Sequence, residues 1–313
     1  SVGIVFICIA MLGMGLNDVF IKLFAGEYPL HQMVLARSGI GIFFSLTLVQ
    51  LQGGWGNLID DLKQLRFGWQ ALRAVLLIAS NLSYFCAVAV MPLAEVTAIF
   101  FAAPLMITLL SIPMLGEKVG PYRLTAVAVG FCGVVIMQRP WADLSAEPVE
   151  RWVYLLPLSA AFLYAISQIV LRKIPSSTMA SVTAVYTQIM FIAITGAIWL
   201  AIGGGRFYTP DQHASLQFIF RIWAWPQGSD WWPFIGLGMT SALVGFGLAM
   251  AYKKAQAATI APFEYIGLPL AVFFGWFFFA ELPGPEVAVG IVLIIASGLF
   301  VWWRERTRAK QAV

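Results

Sequence analysis

Ten long apolar stretches are the feature that most limits the folds open to this sequence. Each runs for about 20 residues or more, the length that a helix needs to cross about 30 Å of hydrocarbon. The chain is 60% hydrophobic and 11% charged, whereas soluble domains carry about 25% charged residues. Lipid is therefore the expected solvent, and an all-α integral membrane protein the expected fold. The stretches, here called segments 1 to 10, are 2–22, 30–51, 68–91, 94–115, 119–138, 152–172, 179–202, 233–252, 256–280 and 285–303.

Two parts of the chain, about 165 residues apart, repeat one pattern. A proline in segment 4, Pro104, precedes a turn with Glu117, and Pro269 in segment 9 precedes a turn with Glu281. Internal duplication in a hydrophobic chain predicts a transporter fold with five segments in each half. Because five is odd, the second half enters the membrane from the opposite side. The two halves are therefore expected to be inverted relative to each other.

The duplication predicts three regions in the chain. The first repeat is expected at 1–138, an external linker at 139–151, and the inverted second repeat at 152–313. The second repeat holds a long external loop at 203–231, with an aromatic stretch between two prolines. That stretch fits either a short helix lying on the membrane surface or a lid over an external vestibule.

Basic residues set the expected orientation, because cytoplasmic loops carry an excess of lysine and arginine. With both termini inside, most basic residues fall on the cytoplasmic side, which predicts an N-in, C-in protein of a bacterial inner membrane. No basic region precedes segment 1, so a cleavable signal peptide is not expected. The net charge of +4 comes from these short loops, so no nucleic-acid partner is expected. The basic residues on the inner side are Lys63, Arg66, Lys118, Arg123, Arg172, Lys173, Lys253, Lys254, Arg304, Arg306, Arg308 and Lys310.

Enzyme signatures are missing from the sequence. The three cysteines lie in apolar runs without metal-ligand spacing, so neither a disulfide framework nor a metal site is expected. No P-loop, His-Glu-x-x-His or Gly-x-Ser-x-Gly motif occurs. We therefore expect no catalytic activity and no cofactor.

The order of these features resembles the EamA-type branch of the drug/metabolite transporter superfamily, over essentially the whole chain. The resemblance implies a central cavity lined by segments 1–4 and 6–9. Segments 5 and 10 are then peripheral, where the family often forms a homodimer contact. The second turn departs from the usual form. The motifs that carry the resemblance are Leu35-Ala36-Arg37, Leu72-Arg73-Ala74, Pro104, Leu115-Gly116-Glu117, Pro269 and Ala280-Glu281-Leu282.

Ionisable residues inside membrane segments mark functional positions, since each costs at least about 2.5–3.5 kcal/mol near the bilayer centre. Asp18 and Arg37 are expected at similar depth in the outer third, which predicts an ion pair. The pair would either pin two helices together or open so that Arg37 receives a substrate carboxylate. Glu264 is expected near mid-membrane without a basic residue at its depth. It could exchange a proton, receive an ammonium group or hydrogen-bond within the bundle.

The predicted binding site lies where the two halves differ. Asp18 aligns with Gln168, Arg37 with Thr187, and Glu264 with Phe100. Polar and aromatic side chains at compatible depth complete the site, although such residues are more often interhelical contacts or packing. The predicted substrate site is Arg37, Glu264, Asp18, Asn81, Tyr84, Phe100, Phe101, Gln168, Gln188 and Tyr265, with Asp18 and Glu264 also as proton-coupling candidates.

Three further glutamates, Glu95, Glu117 and Glu281, are expected at turns or gates. Glu95 opens segment 4, where a carboxylate favours a helix N-terminus, or it belongs to an outer gate. His31 is expected as a hydrated side chain at the membrane surface, and Arg73 as a side chain that extends towards the inner surface.

Together these features predict a secondary active transporter that works by alternating access. Its expected substrate is a small polar metabolite, either an amino-acid-like zwitterion or an organic anion. Proton coupling or exchange drives it, and export is the favoured direction. The alternative is transport of quaternary-ammonium or aromatic cations through an aromatic-lined cavity. An intramembrane enzyme or receptor is the least expected.

Overall fold

A computed structural model describes residues 2–52, 67–116, 119–139, 141, 150–171, 180–254 and 263–311. These residues form helices and no strand, and Glu117 lies outside them. Single turns of 3₁₀ helix at Arg151–Tyr154 and Gly228–Asp230 precede α7 and α10. The helices are α1 Val2–Phe24, α2 Leu30–Gln52, α3 Phe67–Val88, α4 Leu93–Phe100, α5 Ala103–Leu115, α6 Pro121–Gln138, α7 Leu155–Leu171, α8 Ala180–Ile202, α9 Ala214–Phe220, α10 Trp231–Lys254, α11 Gly267–Phe279 and α12 Pro285–Gln311.

The helices confirm the expected class, an all-helical membrane protein. Within the described residues, seven helical stretches are long and apolar enough to cross a membrane. A helix or a pair of helices lies on each of the ten predicted segments. The count of ten spans, their inversion and the orientation stay predictions. The seven stretches are Val2–Phe24, Phe67–Val88, Leu93–Leu115, Arg151–Leu171, Val185–Ile202, Gly228–Leu248 and Pro285–Arg304.

Segments 4 and 9 are broken, where the sequence predicts one continuous helix each. Helix α4 ends at Phe100 and α5 begins at Ala103, while a turn at 265–266 precedes α11. A proline has no backbone N–H and its ring clashes with the carbonyl four residues earlier. Phe100 is four residues before Pro104, and Tyr265 is four residues before Pro269. Both breaks therefore follow from the two prolines.

Helix packing follows the same plan in both halves of the chain. Helix α1 packs along α10, and its counterpart α7 packs along α3. Likewise α1 contacts α11, as α7 contacts α5, while α2 pairs with α8 and α6 pairs with α12. Close approach of α6 and α12 requires glycine: a Cβ at Gly133 would lie 3.0 Å from the carbonyl oxygen of Gly290. Exchanging the halves thus maps these contacts onto one another.

Residues 203–230, called the lid below, cover one end of the bundle. The lid contains α9, whose Phe218 is fully buried. The Ser215 hydroxyl in α9 donates to the carbonyl of Cys86 in α3 at 3.0 Å. Past α9, the Arg221 guanidinium donates to the carbonyl of Ala25 at 2.7 Å. These contacts favour the lid over a helix lying on the membrane surface, and we call this end of the bundle the lid end.

His31 is buried beneath the lid, which corrects the expectation of a hydrated side chain. It is 2% exposed, and its ring stacks on Trp223 with centroids 6.4 Å apart. The neighbouring Gln32 fixes the lid to α2, because its amide nitrogen donates to the carbonyl of Ala224 at 2.6 Å. The lid therefore packs over residues that the sequence suggested were at the water interface.

Candidate functional site

A cavity of about 290 Å³ lies among α1, α2, α3, α4, α7 and α10. It draws side chains from both halves of the chain, as the predicted central cavity requires. Five of the ten predicted substrate residues line it: Asp18, Arg37, Asn81, Tyr84 and Phe100. The other lining residues are Met14, Asn17, Leu77, Ser80, Phe85, Tyr164, Ser241 and Val244.

Arg37 is held in the cavity wall by neutral partners. One terminal nitrogen, Nη2, donates to Oδ1 of Asn81 at 2.9 Å, and Nη1 lies 3.4 Å from Oδ1 of Asn17. The guanidinium carbon also lies 5.6 Å from the ring centroid of Phe85 and 5.9 Å from that of Phe191. Since a guanidinium has five N–H donors, these two hydrogen bonds leave donors for a ligand.

Asp18 is 5% exposed and accepts a hydrogen bond from the Tyr84 hydroxyl at 2.9 Å. The same hydroxyl lies 3.2 Å from the hydroxyl of Thr97 in α4. Tyr84 therefore connects α1, α3 and α4 at the cavity wall. A buried carboxylate is costly unless it is hydrogen-bonded, and Tyr84 supplies that hydrogen bond.

The predicted ion pair between Asp18 and Arg37 is wrong, although the two residues do lie in the same cavity. Both side chains line the cavity, but their charged atoms do not form an ion pair. Amide and hydroxyl groups hold each charge separately, because Asn17 and Asn81 bind the guanidinium and Tyr84 binds the carboxylate. Opposite charges in one cavity attract without direct contact. A ligand with two charged groups can therefore approach both.

Aromatic rings, called the aromatic wall below, line the cavity next to the charged groups. The Phe100 ring centroid lies 5.1 Å from that of Tyr84 and 5.4 Å from that of Tyr164. Phe85 packs edge-on against Tyr84 at 5.2 Å. These distances are typical of favourable aromatic pairs. The wall offers a planar apolar surface beside the two charged groups.

Tyr164 joins this cavity to a second polar cluster. Its hydroxyl forms a hydrogen bond with Gln168, and both Arg73 and Glu264 lie within electrostatic range of it. The Arg73 guanidinium donates to the Thr187 hydroxyl at 3.1 Å. Arg73 thus binds another helix rather than only extending towards the inner surface. Arg73 and Glu264 thus both act on Tyr164, and the expectation that no basic residue matches the depth of Glu264 stays a prediction.

The other five predicted substrate residues lie outside the cavity wall: Gln168 and Glu264 near Tyr164, and Phe101, Gln188 and Tyr265 in contacts between helices. Phe101 and Tyr265 pack against each other at the two helix breaks, with ring centroids 5.6 Å apart. The Tyr265 hydroxyl lies against Gly298 of α12. The amide of Gln188 lies beside Gly41 at the contact between α2 and α8. The contacts of Phe101, Gln188 and Tyr265 are therefore interhelical packing.

Several cavity residues were not among the predicted site residues, and Tyr164 is the most consequential. The repeat held a signal for it. Stretches 10–22 and 160–172 match in pattern, which aligns Tyr164 with Met14, and both line the cavity. Ser80, Phe85 and Ser241 carried no such signal, because a single serine or phenylalanine in an apolar segment is ordinary.

A part-buried ion pair, called the lid-end pair below, ties three parts of the bundle together. The Lys22 ammonium donates to both carboxylate oxygens of Glu281, at 2.7 and 2.8 Å. It also donates to the carbonyl of Met91 at 2.7 Å, while the backbone N–H of Leu93 donates to Glu281 at 3.1 Å. The end of α1, the α3–α4 turn and the α11–α12 turn therefore meet at one point.

The other two predicted gating residues have different outcomes. Glu95 lies in the first turn of α4, as expected for a carboxylate at a helix N-terminus, and the Tyr154 hydroxyl lies 3.5 Å from its Oε2. Glu117 lies outside the described residues. Close to Glu281 in the chain, Glu286 at the start of α12 forms an ion pair with Arg139 at the end of α6, at 2.9 Å.

Known proteins match both the sequence and the fold. Residues 1–139 match the EamA-like transporter family. A riboflavin transporter of Rhizobium johnstonii is 28% identical, over 91% of this chain and 84% of that protein. An S-adenosylmethionine uptake transporter of Rickettsia bellii is 25% identical, over 98% and 95%. A solved crystal structure shares the fold with a TM-score of 0.60 and 17% identity, covering 96% of this chain and 98% of its own.

The fold, the cavity and these matches define an integral membrane transporter of small metabolites. The match over residues 1–139 and the named relatives confirm the resemblance to EamA-type transporters of the drug/metabolite transporter superfamily, and they identify a transporter and not an enzyme.

Proposed function

We propose that this protein is a secondary transporter that moves a zwitterionic metabolite with a planar ring by alternating access. The observation that carries the proposal is the composition of the cavity wall. Arg37 and Asp18 offer opposite charges, and Tyr84, Phe100 and Tyr164 offer aromatic rings beside them. Guanidinium suits a substrate carboxylate, the Asp18 carboxylate suits a cationic group, and the rings suit a planar group.

Cavity size limits the substrate. Ligand cavities span about 300–1,000 Å³, and this one holds about 290 Å³. A substrate of the size of an amino acid or a nucleoside fits without a large rearrangement. A bulkier molecule, S-adenosylmethionine included, requires the bundle to open further, as alternating access allows.

The named relatives supply two molecules for comparison, riboflavin and S-adenosylmethionine. Both combine a fused nitrogen ring with a polar chain. Riboflavin carries no formal charge at neutral pH, whereas S-adenosylmethionine carries an amino-acid zwitterion and a sulfonium group. Two buried charges are costly to keep in a membrane protein, and a neutral substrate makes no use of them. The cavity therefore favours a zwitterion of the second kind.

A cation without a carboxylate is the second candidate, and the position of Asp18 favours it. The carboxylate lies beside the aromatic wall through Tyr84, and aromatic faces with a nearby anion bind quaternary ammonium groups. In this case Arg37 only supports the helices. Choline-like compounds would then compete for transport, and amino acids would not.

Alternating access is supported by three features of the bundle. The helix contacts map onto one another when the halves are exchanged, both halves contain a proline break, and the lid-end pair closes one end. We place both termini in the cytoplasm of a bacterial inner membrane, with ten spans and the lid outside. Asp18 and Glu264 are the proton-coupling candidates, and export is the favoured direction.

Self-association is proposed at the periphery. Helices α6 and α12 correspond to segments 5 and 10 and already pack against each other within one chain. A homodimer through them therefore uses their outward faces, where Val129, Val135 and Val292 are exposed.

Flux measurements in proteoliposomes test the proposal. We expect saturable uptake of radiolabelled S-adenosylmethionine, competition by unlabelled zwitterionic nucleosides, and little flux of riboflavin. An imposed proton gradient should change the rate if Asp18 or Glu264 couples protons. Uptake of choline-like cations alone supports the second candidate, and a lack of flux for any charged metabolite contradicts both.

A further inference from the structure

A second cavity, of about 440 Å³, lies on the flank of the bundle between α2, α10 and lid residues 223–226. It shares no residue with the cavity around Arg37. It is called the flank cavity below. Its lining residues are Gln32, Leu35, Ala36, Gly39, Ile40, Phe43, Trp223, Ala224, Trp225, Pro226, Trp231, Phe234 and Ile235.

The mouth of the flank cavity faces lipid. Phe43 is 69% exposed, Trp231 47% and Ile235 40%. In a membrane-embedded chain, large apolar side chains with this exposure lie against lipid tails. An apolar cavity is unfavourable for water, since water needs two to four polar partners. Hydrocarbon is therefore the favoured filling for a cavity of this lining.

The flank cavity has the depth of one lipid leaflet. Along α2 its wall runs from Gln32 to Phe43. At 1.5 Å per residue these eleven steps span about 16 Å, close to half of the roughly 30 Å hydrocarbon core. Trp223, Trp225 and Trp231 stand at its lid end, as tryptophans do at the level of lipid head groups.

We propose that the flank cavity binds one acyl chain of a membrane lipid from the leaflet at the lid end. The chain lies along Ala36, Gly39 and Ile40, and of these three residues Gly39 lies on the side of α2 opposite Arg37. Its head group remains at the tryptophans beside the lid. The lipid thus fills the space between α2, α10 and the lid without entering the cavity around Arg37.

Photolabelling of the intact protein in nanodiscs tests this site. The probe is a phosphatidylethanolamine with a diazirine midway along one acyl chain, and labelled peptides are mapped by mass spectrometry. We expect labelling concentrated on residues 32–43 and 223–235. The variant Gly39→Phe fills the flank cavity, because a Cβ at Gly39 meets no atom within 4 Å. Labelling of those peptides should fall about tenfold, since several methylene groups lose their contacts.

Gly245→Phe is the matched control, since a Cβ at Gly245 also meets no atom within 4 Å and Gly245 does not line the flank cavity. It should leave the labelling unchanged. Should Gly39→Phe fail to purify as a folded protein, Gly39→Leu gives the smaller filling of the same space. Labelling spread evenly over all lipid-facing helices, or unaffected by both Gly39 variants, overturns the proposal. The probe requires no substrate, so this outcome is independent of whether the protein carries a zwitterion.

Discussion

At the residue scale, the guanidinium of Arg37 can bind two helices and a ligand at once, which an ammonium group cannot do. Its two terminal nitrogens reach Asn17 and Asn81 on different helices and still present donors to the cavity. Lysine offers one compact charge on a flexible stem and does not reproduce this fork. The shape of the charged group therefore matters here as well as its charge.

We predict that Arg37→Lys lowers transport by about tenfold or more, because loss of one charge-assisted hydrogen bond is worth about 1.5–3 kcal/mol. Arg37→Ala should abolish transport. Initial rates of uptake in proteoliposomes measure both effects. Arg139→Lys is the control, since Arg139 pairs with Glu286 away from the cavity. Unchanged uptake by Arg37→Ala would remove Arg37 from the site.

Sequence reasoning identified the charged residues of the cavity but not their partners. The depths of Asp18 and Arg37 follow from counting residues along a helix, and both do line one cavity. Direct contact between them was wrong, because the rotation of each helix decides which neighbour a side chain meets. Tyr84 reaches Asp18 from α3, and α3 is not adjacent to α1 in sequence. Counting along one helix carries no information on such lateral neighbours.

At the element scale, the two prolines decide where segments 4 and 9 break. The sequence showed Pro104 and Pro269 as marks of the repeat, and the broken helices were not predicted. The reason lies in the backbone, since neither proline has an N–H to donate to the carbonyl four residues earlier. At Tyr265 the N–H of Leu268 donates to that carbonyl instead, at 3.1 Å. Helix boundaries elsewhere agree closely with the apolar segments, because length and hydropathy dominate helix formation in lipid.

We predict that Pro104→Ala joins α4 to α5 by restoring the missing donor to the carbonyl of Phe100. The midpoint temperature of thermal unfolding of the purified variant should rise or stay level. The transport rate should fall, since the break positions Phe100 at the cavity. Pro113→Ala is the control, because Pro113 lies inside α5, which continues past it. Equal transport rates for both variants would show that the break at Phe101–Ala102 has no part in the cycle.

At the scale of the whole molecule, the duplication predicted more than any single residue did. It predicted a cavity built from both halves, and the packing of α1 on α10 and of α7 on α3 has this form. The packing of the lid was beyond sequence reasoning. An aromatic loop has the same composition whether it lies on a membrane or over helix ends, and only contacts such as Ser215 to Cys86 distinguish the two.

The lid-end pair joins distant parts of the chain, and we predict that breaking it destabilises the conformation that is closed at the lid end. Lys22→Met and Glu281→Gln should each lower the stability by about 1–3 kcal/mol, since each leaves a part-buried polar group without its partner. The exchange Lys22→Glu with Glu281→Lys should restore little, because the carbonyl of Met91 and the N–H of Leu93 then face the wrong charge. Thermal unfolding of the wild type, the two single variants and the double variant Lys22→Met/Glu281→Gln gives the coupling energy.

Replacing Arg139 with methionine and Glu286 with glutamine, singly and together, gives the same measurement for the other ion pair at this end without touching the lid-end pair. A coupling energy between Lys22 and Glu281 no larger than the one between Arg139 and Glu286, which is the more exposed pair, would mean that the lid-end pair is an ordinary surface contact.

The shielding of the lid-end pair has a consequence for how the transporter meets its surroundings. Its lysine side chain is 11% exposed and its glutamate 28%, so dissolved ions reach neither charge freely. Surface charges are screened within about 8–10 Å at ordinary ionic strength, but part-buried pairs much less. We therefore expect closure at this end to depend only weakly on salinity, so that a cell moving between dilute and saline water keeps nearly the same barrier.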